Sequence, residues 1–160
     1  MTVFFPTSPR SRKRSLASDP AREAVQPFEF RATLTRLDDG LDTLHRSVEL
    51  LRERTGRSAD DRNLILFETA LAEIGSNVLI YTGKHGTTGP PVEYALRLES
   101  DTATAFFTDH GPPIHNQEAR AMPAPTSEAG RGLAIARKVL DELKYKRDGE
   151  VNTWRLVKRL

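Results

Sequence analysis

Apolar residues recur along the chain in two periods, and the switches between them mark out its elements. Phe28, Phe30 and Ala32 alternate with Glu29, Arg31 and Thr33, the two-residue period of a short strand. From Leu37 the period changes: Leu37, Leu41, Leu44, Val48 and Leu51 predict a helix with one buried stripe, closed by Arg52, Glu53 and Arg54 and stopped by Gly56. Ser58, with Asp61 three positions on, is the expected cap of a second helix. Leu64, Phe67, Leu71, Ile74, Val78 and Tyr81 keep its helical spacing, while Ile65, Leu66, Ala70, Leu79 and Ile80 fill much of the rest. A helix that is apolar nearly all round is buried on more than one side. It is expected to break at Gly83, inside a loop running from Thr82 to Pro91.

Beyond that loop Val92, Tyr94, Leu96 and Leu98 alternate with Glu93, Ala95, Arg97 and Glu99, a strand with one face in and one face wet. Ser100-Asp101 forms a tight turn into Thr102 to Thr108, rich in β-branched and aromatic residues. Asp109 to Gly130 then shows no period and holds four prolines. Inside a compact domain so long a loop is usually a lid or binding loop. Leu133, Ala136, Val139, Leu140 and Leu143 form a last helix, and Leu143 to Arg147 with Val151 to Lys158 read as a closing hairpin about Asp148-Gly149. The order strand, helix, helix, strand, strand, loop, helix, strand, strand predicts an α+β fold. It is a two-layer sandwich, with a mixed, mostly antiparallel sheet covered on one face by three helices.

Composition narrows the classes. The 160 residues suit one domain, and a hydrophobic share of 38% leaves part of the chain unpacked. No apolar run is long enough to span a membrane. The absence of cysteine excludes a disulfide scaffold, Cys-ligated zinc and a thiol nucleophile. The short apolar start precedes its basic run, the reverse of a secretory leader, so a cytoplasmic location is expected. Residues 1–27, with four prolines and four serines, read as a disordered basic arm before an ordered domain at 28–160. Arg10, Arg12, Lys13, Arg14 and Arg22 face only Asp19 and Glu23 in that arm, leaving the body nineteen bases and twenty acids. A body so nearly neutral is not expected to bind nucleic acid directly.

Three features then depart from plain packing. Glu73 and Asn77 stand four apart on the most apolar helix, about 40° apart around its axis. Either they lie on a wet strip or satisfy each other in the core, or they face a polar cavity. In such a cavity an amide oxygen can ligate a hard divalent cation and a carboxylate can take a proton. Asp109 ends an apolar strand and is followed by Gly111. This is either an ordinary Asp-x-Gly turn or a carboxylate that accepts a bond from an exocyclic amine while bare backbone approaches a flat ligand. The run Glu128-Ala129-Gly130-Arg131-Gly132-Leu133 opens a helix with two glycines: either a hinge, or an anion cradle of free N–H groups. It is neither a Walker A loop nor a dinucleotide fingerprint.

In order and spacing the stretches ALAEIGSNVLIYTG, FFTDHGPP, EAGRGLAIARKVLDEL and VNTWRLVKRL resemble the N, G1 and G2 boxes and last strand of Bergerat-fold (GHKL) ATPases. Among these, the chain is most similar to the short anti-sigma factor serine/threonine kinases, over Phe28 to Leu160. The resemblance implies a catalytic base at Glu73, a magnesium ligand at Asn77, and an adenine-amine acceptor at Asp109 with Gly111 beneath the base. It also implies a phosphate-binding lid end at Gly130, Arg131, Gly132 and Leu133, and a hydroxyl at Thr153 supporting Asp109. ATP and Mg2+ are the implied cofactors. The implied partners are a sigma factor and an anti-anti-sigma (STAS-domain) protein, and family members commonly form homodimers.

Two departures stand out. Pro112-Pro113 occupies a place where many relatives have a further glycine. Ile80 and Tyr81 stand where a basic or histidine residue often follows the asparagine, so a phosphate contact is either missing or supplied by Lys84 or His85. The alternative to a kinase is therefore a nucleotide-binding partner-switch module without turnover. Gly75, mid-helix, predicts close packing beside the site.

Overall fold

The computed structural model describes residues 27–84, 91–113 and 128–160. The expected basic arm before Pro27, residues 85–90 of the first loop and 114–127 of the long segment lie outside the described residues. In chain order the elements are β1 (Phe28–Leu34), α1 (Leu37–Thr55), α2 (Arg62–Lys84), β2 (Val92–Glu99), β3 (Thr102–Asp109), α3 (Glu128–Val139), β4 (Glu142–Asp148) and β5 (Val151–Arg159). The strands form one sheet in the order β1-β2-β3-β5-β4, backed on one face by the helices. Every pairing is antiparallel, so the sheet is not mixed. The hairpin β4–β5 folds back so that β5 lies beside β3 and β4 takes the edge.

Alternation decides which side chains meet the helices. Tyr94, Phe107, Trp154 and Tyr145 stand opposite one another across β2, β3, β5 and β4, with Leu96, Ala105, Leu156 and Leu143 in the next row. Directly opposed residues share a face, and these rows form the core beneath the helices. Phe30, Tyr94 and Phe107 continue it as tilted ring contacts, with centroids 6.1 and 5.1 Å apart. The Tyr94 hydroxyl is buried and hydrogen-bonds Ser47 of α1 at 2.9 Å, and burial pushes its pKa up.

Local chemistry sets the helix ends. Gly56 adopts the left-handed conformation that ends α1, as its position predicts. The cap of α2 is Asp61 rather than Ser58: Asp61 Oδ1 accepts the Leu64 N–H at 3.0 Å, while the Ser58 hydroxyl turns to Asp60 at 2.6 Å. Arg57 also pairs with Asp61 at 2.8 Å, which together with the Leu64 amide holds the Asp61 carboxyl below its ordinary range. Helix α2 runs on to Lys84, past the expected break at Gly83. Leu143 belongs to β4, paired with Leu156, and not to the last helix, because α3 ends at Val139.

The contact between α1 and α2 is built on two glycines. A methyl on Gly40 would stand 2.6 Å from Leu79 Cδ1, and one on Gly75 would stand 2.5 Å from Leu44 Cδ1 and 3.4 Å from the Phe107 ring. Each glycine thus receives a leucine from the facing helix, and Gly75 lets α2 press on both α1 and the sheet. Residues 62–82 are long and apolar enough to cross a membrane by length and composition. Here Leu64, Phe67, Ala70, Leu71, Ile74, Val78 and Leu79 of that stretch are core residues, so packing accounts for its apolar character.

Candidate functional site

The inward row of β3 that carries Ala103, Ala105 and Phe107 ends on a charge. Asp109 is only 3% exposed, and a carboxylate there is costly unless donors surround it. Its Oδ1 accepts the Gly111 N–H at 2.8 Å and the Asn152 Nδ2 at 2.8 Å. Both bonds fall on one oxygen, and among the described residues no donor reaches Oδ2. The turn needs its glycine: a methyl on Gly111 would stand 2.9 Å from Asp109 Oδ1 and 3.7 Å from the hydroxyl of Thr82 near the end of α2.

The neighbour that supports Asp109 is Asn152, which corrects the expectation for Thr153. In the register of β3 with β5, Asp109 faces Asn152, while Thr153 faces Thr108. Thr153 therefore points to the sheet face away from the helices, because successive strand residues alternate. The inward set of β5 is Asn152, Trp154 and Leu156, all buried. That parity was available in the sequence, since Trp154 and Leu156 are the apolar members of the strand and Asn152 shares their phase. What the sequence does not reveal is the non-local register that sets Asn152 against Asp109. Tyr145 and Arg147 of β4 also belong to this cluster: Tyr145 Oη donates to Asn152 Oδ1 at 2.6 Å and Arg147 Nη1 to the same atom at 2.8 Å. Nothing in the sequence pattern singles these two out.

Glu73 and Asn77 lie on the α3 side of α2, neither of them in the buried core. A methyl on Gly132 would overlap Glu73 Oε2 and stand 3.1 Å from its carboxyl carbon. Glycine at 132 thus allows the carboxyl of Glu73 to rest on the backbone of α3. Asn77 follows one turn further along the same side of α2. Thr82, on the opposite side of the helix, meets the Gly111 turn. Helix α3 opens at Glu128, so Gly130 and Arg131 fall among its first four N–H groups and Gly132 just past them. Arg131 is exposed, and Leu133 packs against the core. The surroundings of the Gly130 side of the helix, and the long segment expected to be a lid, lie outside the described residues.

The structure therefore brings Glu73 to Gly132 and Asp109 to Gly111, with Asn77 on α2 next to the first pair. These residues fit a magnesium nucleotide. The spare Oδ2 of the buried Asp109 offers an acceptor for an amine, and the turn beside it presents bare backbone. The opening of α3 is the helix end that favours anions. Asn77 offers a neutral amide oxygen of the kind that hard divalent cations accept.

The family model of the histidine kinase-like ATPase domain matches residues 32–158, most of the chain, from within β1 to within β5. A search of curated proteins returns no match. The matched stretch contains the Glu73–Asn77 pair, the Asp109 turn and the glycines of α3 alike. With its antiparallel sheet, three-helix layer and buried strand-end aspartate, the chain belongs to the histidine kinase-like ATPases, the GHKL-type domains that bind ATP.

Proposed function

We propose that this protein is an anti-sigma factor serine/threonine kinase: it phosphorylates a hydroxyl on a small anti-anti-sigma (STAS-domain) partner and, when free of that partner, sequesters a sigma factor. The observation that carries the reading is the placing of Glu73 against the bare backbone of α3 at Gly132, with Asn77 one turn away. A proton acceptor and a metal-binding amide are thereby held beside a helix opening suited to phosphate.

Magnesium-ATP, when bound, supplies an activated γ-phosphoryl group. The chain's own part is positioning and charge placement, which provide most of the rate in such transfers. Asp109 Oδ2 takes the adenine amine, with Oδ1 already held by Gly111 and Asn152. Asn77 holds the metal through its amide oxygen, and the first turn of α3, with Gly130 and Arg131, receives the phosphates. Glu73 would accept the proton of the partner's hydroxyl as that oxygen bonds to the γ-phosphorus and ADP departs. The departure at Ile80 and Tyr81 leaves the phosphates one basic contact fewer from α2, unless Lys84 or His85 supplies it. We place the protein in the cytoplasm, and the family resemblance adds a second copy of the chain to its candidate partners.

Incubating the chain with γ-labelled ATP and a candidate STAS-domain partner tests the reading. Label should pass to the partner, and Glu73→Ala should bind ATP nearly as the parent does while transferring none. Transfer by Glu73→Ala at the parent's rate would refute the base assignment. Tight ATP binding without any transfer would leave a nucleotide-dependent binding module instead.

A further inference from the structure

The amide of Asn152 is used to its full capacity. Nδ2 donates to Asp109 Oδ1 at 2.8 Å and to the Gly111 carbonyl at 3.0 Å, with the Pro112 carbonyl a longer contact of 3.5 Å that shares one of these N–H groups. Oδ1 accepts from Tyr145 Oη at 2.6 Å and Arg147 Nη1 at 2.8 Å. A primary amide has two N–H donors and two carbonyl lone pairs, so the count closes. Arg147 Nη1 also donates to the Gly111 carbonyl at 2.9 Å, giving that oxygen two donors.

Such a pattern removes a choice. An amide beside a carboxylate can turn over and present its oxygen, which would set two acceptors against each other. Here two donors from β4, one of them a cation, claim Oδ1 and force Nδ2 toward Asp109. The cation, the neutral amide and the carboxylate then form a polarised chain of hydrogen bonds. Asp109 Oδ1 is tied by both Asn152 and the Gly111 N–H, so the carboxylate cannot rotate about its own axis without breaking both bonds. One oxygen is spent on donors of the protein, and among the described residues the other is left for a ligand's donor. Gly111 is clamped by the same residues, so the floor beneath a bound base is fixed together with the carboxylate.

We infer that Asn152, Tyr145 and Arg147 form a latch that dictates which oxygen of Asp109 faces the ligand, and that they thereby set the preference of this site for a base bearing an amine. The latch rests on the nucleotide-binding reading of Asp109. None of the three residues needs to touch the nucleotide; they are positioning residues that act through Asp109 and Gly111. Tyr145 and Arg147 reach the site only because β4 is the edge strand beside β5.

The test compares ATP with inosine triphosphate, which carries a carbonyl in place of the adenine amine, by calorimetric titration of the full chain with magnesium. The variants are Arg147→Met, Tyr145→Phe and Asn152→Leu, together with Asn152→Thr, which restores a short hydroxyl donor. The parent chain should bind ATP more tightly than inosine triphosphate. Arg147→Met and Asn152→Leu should each weaken ATP roughly tenfold or more, the loss expected when a hydrogen bond to a charged group goes. Inosine triphosphate should change little, so the preference collapses; Tyr145→Phe should do the same to a smaller degree, and Asn152→Thr should recover part of the preference. Equal weakening of both nucleotides would show a merely structural role and overturn the latch while leaving the ATP reading intact. So would unchanged ATP binding in Arg147→Met and Asn152→Leu. A parent chain that binds neither nucleotide would overturn the ATP reading and the latch with it.

Discussion

Gly75 offers a test of the packing in which the sign of the effect, and not only its size, is at stake. Alanine is the better helix former, and at an open mid-helix position Gly→Ala stabilises by about 0.5–1 kcal/mol. At Gly75 the new methyl would stand 2.5 Å from Leu44 Cδ1 and 3.4 Å from the Phe107 ring, and both neighbours are fully buried. Forcing a methyl into a closed core costs about 1–3 kcal/mol. Set against the propensity gain, the net should be a loss of about 1 kcal/mol, within a range of roughly 0–2.5 kcal/mol. Equilibrium urea unfolding measures it, with the midpoint falling and the slope unchanged. The cause is then isolated by repeating the substitution in a Leu44→Val background, which lacks Cδ1. There Gly75→Ala should cost less by about 0.5 kcal/mol or more, the coupling expected of residues in contact. Stabilisation of the parent chain by Gly75→Ala, or identical costs in both backgrounds, would refute the close approach of α2 to α1.

Other substitutions probe single links. Ser47→Ala should cost about 1–3 kcal/mol in urea unfolding, because it leaves the buried Tyr94 hydroxyl without its partner on α1. Asp61→Ala should cost about 0.5–2 kcal/mol by removing the cap of α2. Because the Leu64 amide and Arg57 depress the folded pKa of Asp61, its contribution is present above the ordinary carboxylate pKa and fades as pH falls through the folded value, so parent and variant should converge in acid. His45 of α1 pairs with Glu68 of α2, which raises the His45 pKa. That contribution is complete below the ordinary imidazole value of about 6.5 and lost as pH rises through the folded pKa; His45 is largely exposed, so His45→Gln should cost less than about 1 kcal/mol at low pH and nothing at high pH.

Much of this architecture is written in local patterns. The alternation in Phe28–Leu34 and Val92–Glu99 marks β1 and β2, and the stripe from Leu37 to Leu51 with Gly56 behind it marks α1 nearly to the residue. The Glu73–Asn77 spacing and the Asp109-Gly111 turn stand out because each puts polarity where an apolar element should continue. The misses have physical reasons. Ser58 and Asp61 are both good caps, and the outcome depends on Arg57, which lends Asp61 a second partner. Leu143 continues a helical period by coincidence, but its partner Leu156 lies on another strand and only the hairpin register reveals the pairing. Family position points to Thr153, whereas strand parity puts Asn152 inward beside Trp154 and Leu156. Leu143 and Tyr145 mark the inward phase of β4, but Arg147 in that phase carries no further signal: a polar residue there reads the same whether it meets solvent or a neighbour's amide.

The central claim is that Asp109, Gly111, Asn77 and the opening of α3 serve one nucleotide. Calorimetric titration of the full chain with ATP, with and without magnesium, alongside Asp109→Asn, tests it most directly. The account predicts a single saturable site that tightens when magnesium is present, and a loss of roughly tenfold or more in Asp109→Asn, where the amide oxygen stays with the Gly111 and Asn152 donors and an N–H donor replaces the acceptor facing the amine. Absence of saturable ATP binding by the parent chain, or binding by Asp109→Asn indistinguishable from it, would contradict the account.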